Sequence, residues 1–321
     1  MKRIILVFCL LIVAGCAPSF NNDDQIVEEN KDETGQETAI IPSYNISDEN
    51  YRMLIDNQLS KSRGVIVNQV ANRLDIDEFE EGLRRHSKEF FSTDDHYFRE
   101  GQYITTDVVY EWLERYAETE SNSPRANPLG LNPEINDETS HEDQQNNPKY
   151  LSHILEQDFL VRTSENGVEL GGISIGIALK SVYTYQVEDY GATFEEEIPM
   201  DEMLTEGKKI AEEVLTRVRQ IDGLESVPIM IALYREEARS SVVPGSFVTK
   251  TLVGENLSAI QEWEPVDEEY VLFPTNSATD KYPDTAANMS DFEKDVADYF
   301  PNYVSVIGKG FYVDGQLQDL T

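Results

Sequence analysis

Gly167-Val168-Glu169-Leu170-Gly171-Gly172-Ile173-Ser174-Ile175-Gly176-Ile177-Ala178-Leu179-Lys180-Ser181-Val182-Tyr183-Thr184-Tyr185 is the stretch on which the reading of the fold turns. Within it, Gly172-Ile173-Ser174-Ile175-Gly176 has the G-x-S-x-G form of a hydrolase nucleophile elbow. Such an elbow needs a strand, a sharp turn and a helix, with the histidine later in the chain than the serine. All four histidines, His86, His96, His141 and His153, precede Ser174. The alternation of Ile173, Ile175 and Ile177, continued by Val182 and Tyr183, is that of a strand. The stretch therefore reads as a glycine-dotted strand, and Ser174 as a strand residue.

Working outward, Pro199 to Ile221 starts with Asp201 and Glu202 and carries Leu204, Ile210, Ala211, Val214, Leu215 and Val218 at helical spacing, with a strand at Val227 to Tyr234. An earlier copy of this order is expected: Ser47-Asp48-Glu49 capping a helix through Tyr51, Leu54, Ile55 and Leu59, then a strand at Val65-Ile66-Val67. Gly101-Gln102-Tyr103-Ile104-Thr105 parallels Gly245-Ser246-Phe247-Val248-Thr249, and a second closing strand is expected from Tyr303 to Val313. These parallels predict an α+β fold of two tandem similar domains, 46–185 and 195–321, each a small sheet flanked by helices. Glu120 to Pro148, rich in Asn-Pro and Ser-Pro, is expected to be a long loop.

Other chemistry is sparse. There is no HExxH, no S-x-x-K and no phosphate-cradling glycine loop, and Gly308-Lys309-Gly310 suits a bulge better. Asp75 to Gly82 resembles a calcium loop only superficially, since Phe79 occupies a ligand position; it reads as a helix start with Phe79 and Leu83 facing inward. His86, Asp94, Asp95 and His96 read as solvated residues, not metal ligands. Neighbouring carboxylates such as Glu195-Glu196-Glu197 arise by chance among 61 acidic residues. No catalytic residue, cofactor or metal is expected.

The chain opens with Lys2 and Arg3, the apolar run Ile4 to Ala14, then Gly15-Cys16. This is the order of a signal peptide, 1–15, and the run is too short to span a bilayer. Val13, Ala14, Gly15 and Cys16 are similar to a lipobox, in which Cys16 is cleaved at its N-side and acylated. Two acyl chains suffice for stable anchoring on the outer membrane face. Residues 16–45, polar and acidic, read as a disordered tether. Cleavage removes Cys9 and acylation consumes Cys16, so no disulfide remains. Removing Lys2 and Arg3 leaves 24 basic against 61 acidic residues, a balance of −37 that argues against nucleic acid and anionic headgroups as partners.

Together the lipobox, the acidic tether, the paired α+β pattern, Gly64-Val65-Ile66-Val67 and Val304-Ser305-Val306-Ile307-Gly308-Lys309-Gly310-Phe311-Tyr312 resemble the CamS sex-pheromone lipoprotein family. The resemblance implies that the excised signal peptide is trimmed to a short apolar conjugation pheromone. Carried onto this sequence, the candidate is Phe8, Cys9, Leu10, Leu11, Ile12, Val13, Ala14 and Gly15, with Cys9 a departure from purely aliphatic and aromatic character. The expected protein is a monomeric, non-enzymatic surface lipoprotein meeting an envelope or wall partner. The alternative is a two-lobed solute-binding lipoprotein, with Tyr183, Tyr185 and Tyr190 near a groove between lobes.

Overall fold

Side chains alternate across a strand, and β5 (Gly167–Leu179) uses this to present two unlike faces. Ile173, Ile175, Ile177 and Leu179 enter one core; Gly172, Ser174, Gly176 and Ala178 line the other. In this computed structural model, which describes residues 37–38, 50–54, 58–118, 126–164, 167–300, 302 and 305–321, that second face lies against α2 (Arg73–Ser87). A Cβ at Gly176 would stand 2.8 Å from the Phe79 ring, and one at Gly172 would run into Phe91. The apparent G-x-S-x-G motif is thus the small-residue face of a strand that lets a helix approach closely.

Around β5 the main sheet runs β10-β9-β8-β5-β4-β3-β2, with β1 (Glu37–Thr38) also pairing to β5. The members are β2 (Arg52–Met53), β3 (His96–Glu100), β4 (Leu151–Arg162), β8 (Ile229–Arg235), β9 (Ser246–Val253) and β10 (Glu264–Pro265). Strands of both halves meet at the parallel β5–β8 pair, joined by the crossover helix α5 (Met200–Val218). A parallel pair requires such a connection. Met203, Gly207, Ile210, Ala211, Val214, Leu215 and Val218 form the buried stripe of α5, and its acidic start complements the helix dipole. With α3 (Thr106–Leu113), α5 covers the isoleucine face; α2 and the short α1 (Ile66–Gln69) cover the other.

A hairpin, β6 (Val182–Tyr185) with β7 (Phe194–Glu197), follows β5, and α4 (His141–Asn146) precedes β4. The C-terminal part is a separate antiparallel sheet of β11 (Glu268–Phe273), β12 (Gly308–Val313) and β13 (Gln316–Leu320), with α6 (Asn276–Lys281) and α7 (Pro283–Tyr299) beside it. The fold is α+β, with sheets flanked by helices.

Four local expectations are corrected. Arg52–Met53, expected to be helical, is a strand pairing in parallel with β3, because Tyr51 and Leu54 bury into different cores. Val65 to Val67 leads into α1 instead of forming a strand, with Val65 and Ile66 buried in different cores and Val67 exposed. Gly101 to Thr105 is a loop around the Glu156 carboxylate, whereas Ser246 starts β9, so the two similar pentapeptides do not share a conformation. Within 120–148, α4 interrupts the expected loop.

Candidate functional site

A cleft of about 730 Å³ lies between the segment after α3, α4 and the β6–β7 hairpin. Its floor is built around Arg115. One guanidinium nitrogen donates to the Pro133 carbonyl at 2.8 Å and the Asn147 carbonyl at 2.7 Å. The other donates to the Tyr183 hydroxyl at 2.9 Å and to Gln144 Oε1 at 3.3 Å, and the Tyr183 hydroxyl in turn donates to Gln144 at 2.6 Å. Burial pushes the Tyr183 hydroxyl up, against the pull of Arg115, so it stays a neutral donor. These bonds spend the cation on shaping the cleft.

The position of Arg115 follows from local structure. Asn132, 1% exposed, donates to the Leu113 and Leu151 carbonyls and accepts from the Leu151 amide, tying the Asn-Pro turns to β4. Ser140 caps α4 by accepting from the Asp143 amide, which sets Gln144 inward. Behind Tyr183 the rings of Tyr185 and Phe194 stack in succession, with His141 edge-on to Phe194 at 4.3 Å. A second, more open cleft of about 550 Å³ shares Tyr116 and Glu134 and runs to α5. The cations along this path are paired: Lys149 with Glu114 at 3.0 Å, Lys209 with Glu206 at 2.6 Å and Arg217 with Glu213 at 2.8 Å. The path therefore offers aromatic, amide and carboxylate surface.

Of the three tyrosines expected near a groove, Tyr183 lines the cleft, Tyr185 supports it from behind, and Tyr190 is fully exposed in a left-handed turn. The cleft lies within the first half, not between two lobes. Arg115, Gln144 and Asn132 escaped the sequence reading; the closely spaced Asn-Pro pairs were the signal that this segment is fixed by side-chain bonds.

Ser174 is sealed in the core, bonded to the Ser87 hydroxyl at 2.7 Å. His86 sits on α2 against Glu268 at 3.2 Å, while His96 is on β3 with its ring bonded to the Ser92 carbonyl. No cluster of three His, Cys, Asp or Glu able to hold a metal occurs among the described residues. Val13, Ala14, Gly15, Cys16 and the Phe8 to Gly15 peptide lie outside the described residues. No described helix is long and apolar enough to cross a membrane.

The sheet and its cleft define an α+β protein with a polar, aromatic-backed cleft. The chain belongs to the CamS sex pheromone family: residues 57–321 match the family described as CamS sex pheromone cAM373 precursor. It is similar to the crystal structure of a sex pheromone precursor from Lactobacillus salivarius subsp. salivarius UCC118, with 34% identity and a TM-score of 0.76 over 89% of this chain and 80% of that one. It is also similar to the C-terminal domain of the sex pheromone staph-cAM373 precursor from Staphylococcus aureus, at 30% identity and a TM-score of 0.68 over 78% of this chain and 79% of that one. No curated protein matches the chain.

Proposed function

We propose that this chain is a membrane-anchored extracellular lipoprotein, non-enzymatic in its folded part, whose signal peptide is processed to a short apolar pheromone. The observation that carries the reading is the lipobox Val13-Ala14-Gly15-Cys16, directly after an eleven-residue apolar run, in a member of a family of sex pheromone precursors. Acylation at Cys16 anchors the protein by about 0.8 kcal/mol per buried methylene. Residues 16–45 then link the anchor to the folded part, not as a disordered tether throughout, since Glu37–Thr38 pairs with β5, and that part meets an envelope or wall partner along the Arg115–Tyr183 cleft, as a monomer and without nucleic acid. The division into repeats 46–185 and 195–321 belongs to the same reading. Burial of Ser174 away from solvent supports the absence of acyl-transfer chemistry at the one serine motif.

The test is intact mass and membrane partition of wild type beside Cys16→Ala, with peptide analysis of the medium. A lipid-shifted, membrane-bound wild type, an unlipidated variant and an apolar fragment ending near Gly15 are the expected results. An unlipidated wild type overturns the anchor, and a medium free of any such fragment overturns the pheromone.

A further inference from the structure

The two clefts that meet at Tyr116 form a nearly neutral path across a strongly acidic protein. Their linings carry four cations against five carboxylates, whereas the whole chain holds 26 basic residues against 61 acidic. Three of the cations, Lys149, Lys209 and Arg217, are each bonded to a carboxylate of the same lining. The fourth, Arg115, is spent on two carbonyls, Tyr183 and Gln144. A phosphate or carboxylate ligand would have to break one of these pairings, and an excess of one negative charge sets up little field to draw in a polycation. The balance selects an uncharged ligand.

The shape and the free groups narrow it further. The clefts, about 730 and 550 Å³, each fall within the roughly 300–1,000 Å³ of small-molecule sites, and they share Tyr116 and Glu134, so one ligand can run through both. Tyr116 is 38% exposed and stands at the junction, its position fixed by its amide donating to the Asn132 carbonyl at 2.8 Å. Beside it the Glu134 carboxylate and the Asn136 side-chain amide are exposed and make no hydrogen bond among the described residues. The Ala117 amide and carbonyl are bonded to Asn127, so a peptide adding here as a strand finds those groups taken.

A sugar ring carries no charge, has an apolar C–H face that packs on an aromatic ring, and bears hydroxyls around its rim that both donate and accept. A carboxylate accepts from such hydroxyls, and a primary amide donates to one and accepts from another. An exposed tyrosine flanked by a free carboxylate and a free amide, in a charge-balanced path, supplies each counterpart.

We propose that the joined clefts bind an uncharged glycan strand, one sugar seated on the Tyr116 ring and its neighbours hydrogen-bonded to Glu134 and Asn136. The proposal rests on the reading that the folded part meets an envelope or wall partner along this cleft, and names that partner's chemistry.

The experiment is calorimetric titration of the full chain with uncharged oligosaccharides of glucose, mannose and N-acetylglucosamine, dimers to hexamers. Polyglycerol phosphate and oligolysine serve as the anionic and cationic probes, and sedimentation with purified wall sacculi is run beside them. Tyr116→Ala and Glu134→Ala are compared with wild type, with circular dichroism as the folding control. The expected result is binding of one oligosaccharide series that strengthens with length and is weakened roughly tenfold by Tyr116→Ala in a folded protein. No oligosaccharide binding up to millimolar concentration, tighter binding of either charged probe, or binding untouched by both substitutions overturns the glycan. Sacculi that still sediment the protein in that case leave the wall partner standing; failure of both overturns the two readings together.

Discussion

Helices α2 and α7 are similar in length, 15 and 17 residues, and each carries a phenylalanine near its middle, yet they have opposite relations to the protein. Helix α2 buries Asp75, Glu78, Phe79, Gly82, Leu83, His86 and Ser87; α7 buries no residue at all. Phe79 is 1% exposed and Phe292 is 54% exposed. The difference lies in what each helix faces. Helix α2 lies on the small-residue face of β5 and on β8 and β9, inside a wide sheet covered on both sides. Helix α7 packs beside α6 and a three-stranded sheet whose last strand is exposed along its length, and Phe292 stays mostly in water. A helical pattern in sequence predicts the stripe; the partner decides whether it is buried.

The largest way to break this contrast is Phe79→Ala, which opens a cavity against Gly176, Tyr234 and Phe247. A loss of about 3–5 kcal/mol in urea unfolding is expected, and a loss below about 1 kcal/mol would mean that the α2 face is not the core.

The latch between the two regions comes next. Arg85 bonds to Glu78 at 2.7 Å and to Glu268 at 3.1 Å and lies over the Phe311 ring, while the Tyr270 hydroxyl donates to Glu78. Arg85→Ala leaves two nearly buried carboxylates facing each other. The Arg85 side chain is itself about one-third exposed, 34%, which discounts the cost to about 2 kcal/mol. Hydrogen exchange should quicken in β11 and β12 and leave β5 and β8 unchanged; uniform quickening would make the C-terminal sheet part of the central cooperative unit.

The two regions also titrate in opposite senses. Burial pushes Glu236 up to about 7, above the 4.5 of an ordinary glutamate, so the folded state holds its proton where the unfolded chain has lost it. Its contribution to stability therefore rises as pH falls from about 7 to 4.5. Glu268 is pushed up by burial but pulled further down by His86 and Arg85; its contribution is present above 4.5 and is lost as pH falls through its lowered folded value. Urea midpoints measured from pH 4 to 8 should show Glu236→Gln removing about 1–2 kcal/mol of the acid-side gain. An unchanged wild-type-minus-variant difference across that range would show Glu236 to be ionised as usual. The smallest effect is expected for Phe292→Ser, within about 0.5 kcal/mol of wild type, because its ring is already mostly in water.

Long elements with regular burial were readable. The strand from Gly167, the helix from Asp201 to Val218, the strand ending near Tyr234 and the inward pair Phe79 and Leu83 all follow from periodicity, although the expected strand stops at Leu179 and Val182–Tyr185 turns into a separate hairpin. Short elements were not. Arg52–Met53 and Ile66–Gln69 take their conformation from β3 and from the core around Phe79, which no local pattern records. The cleft was half visible: Tyr183 stood out as an aromatic near a junction, but its partners Arg115 and Gln144 lie 68 and 39 residues away along the chain.

By itself, the sequence determined the α+β class, the strand nature of the Ser174 motif, the excess of acidic over basic residues and the likeness to sex pheromone precursors. These rest on composition, on side-chain periodicity and on short motifs, all properties of neighbours in the chain. Only the tertiary structure decided that strands of both halves join at β5–β8 and that Arg115 shapes a cleft. Those facts depend on register between distant strands and on desolvation, which arise when remote residues are brought together and excluded from water.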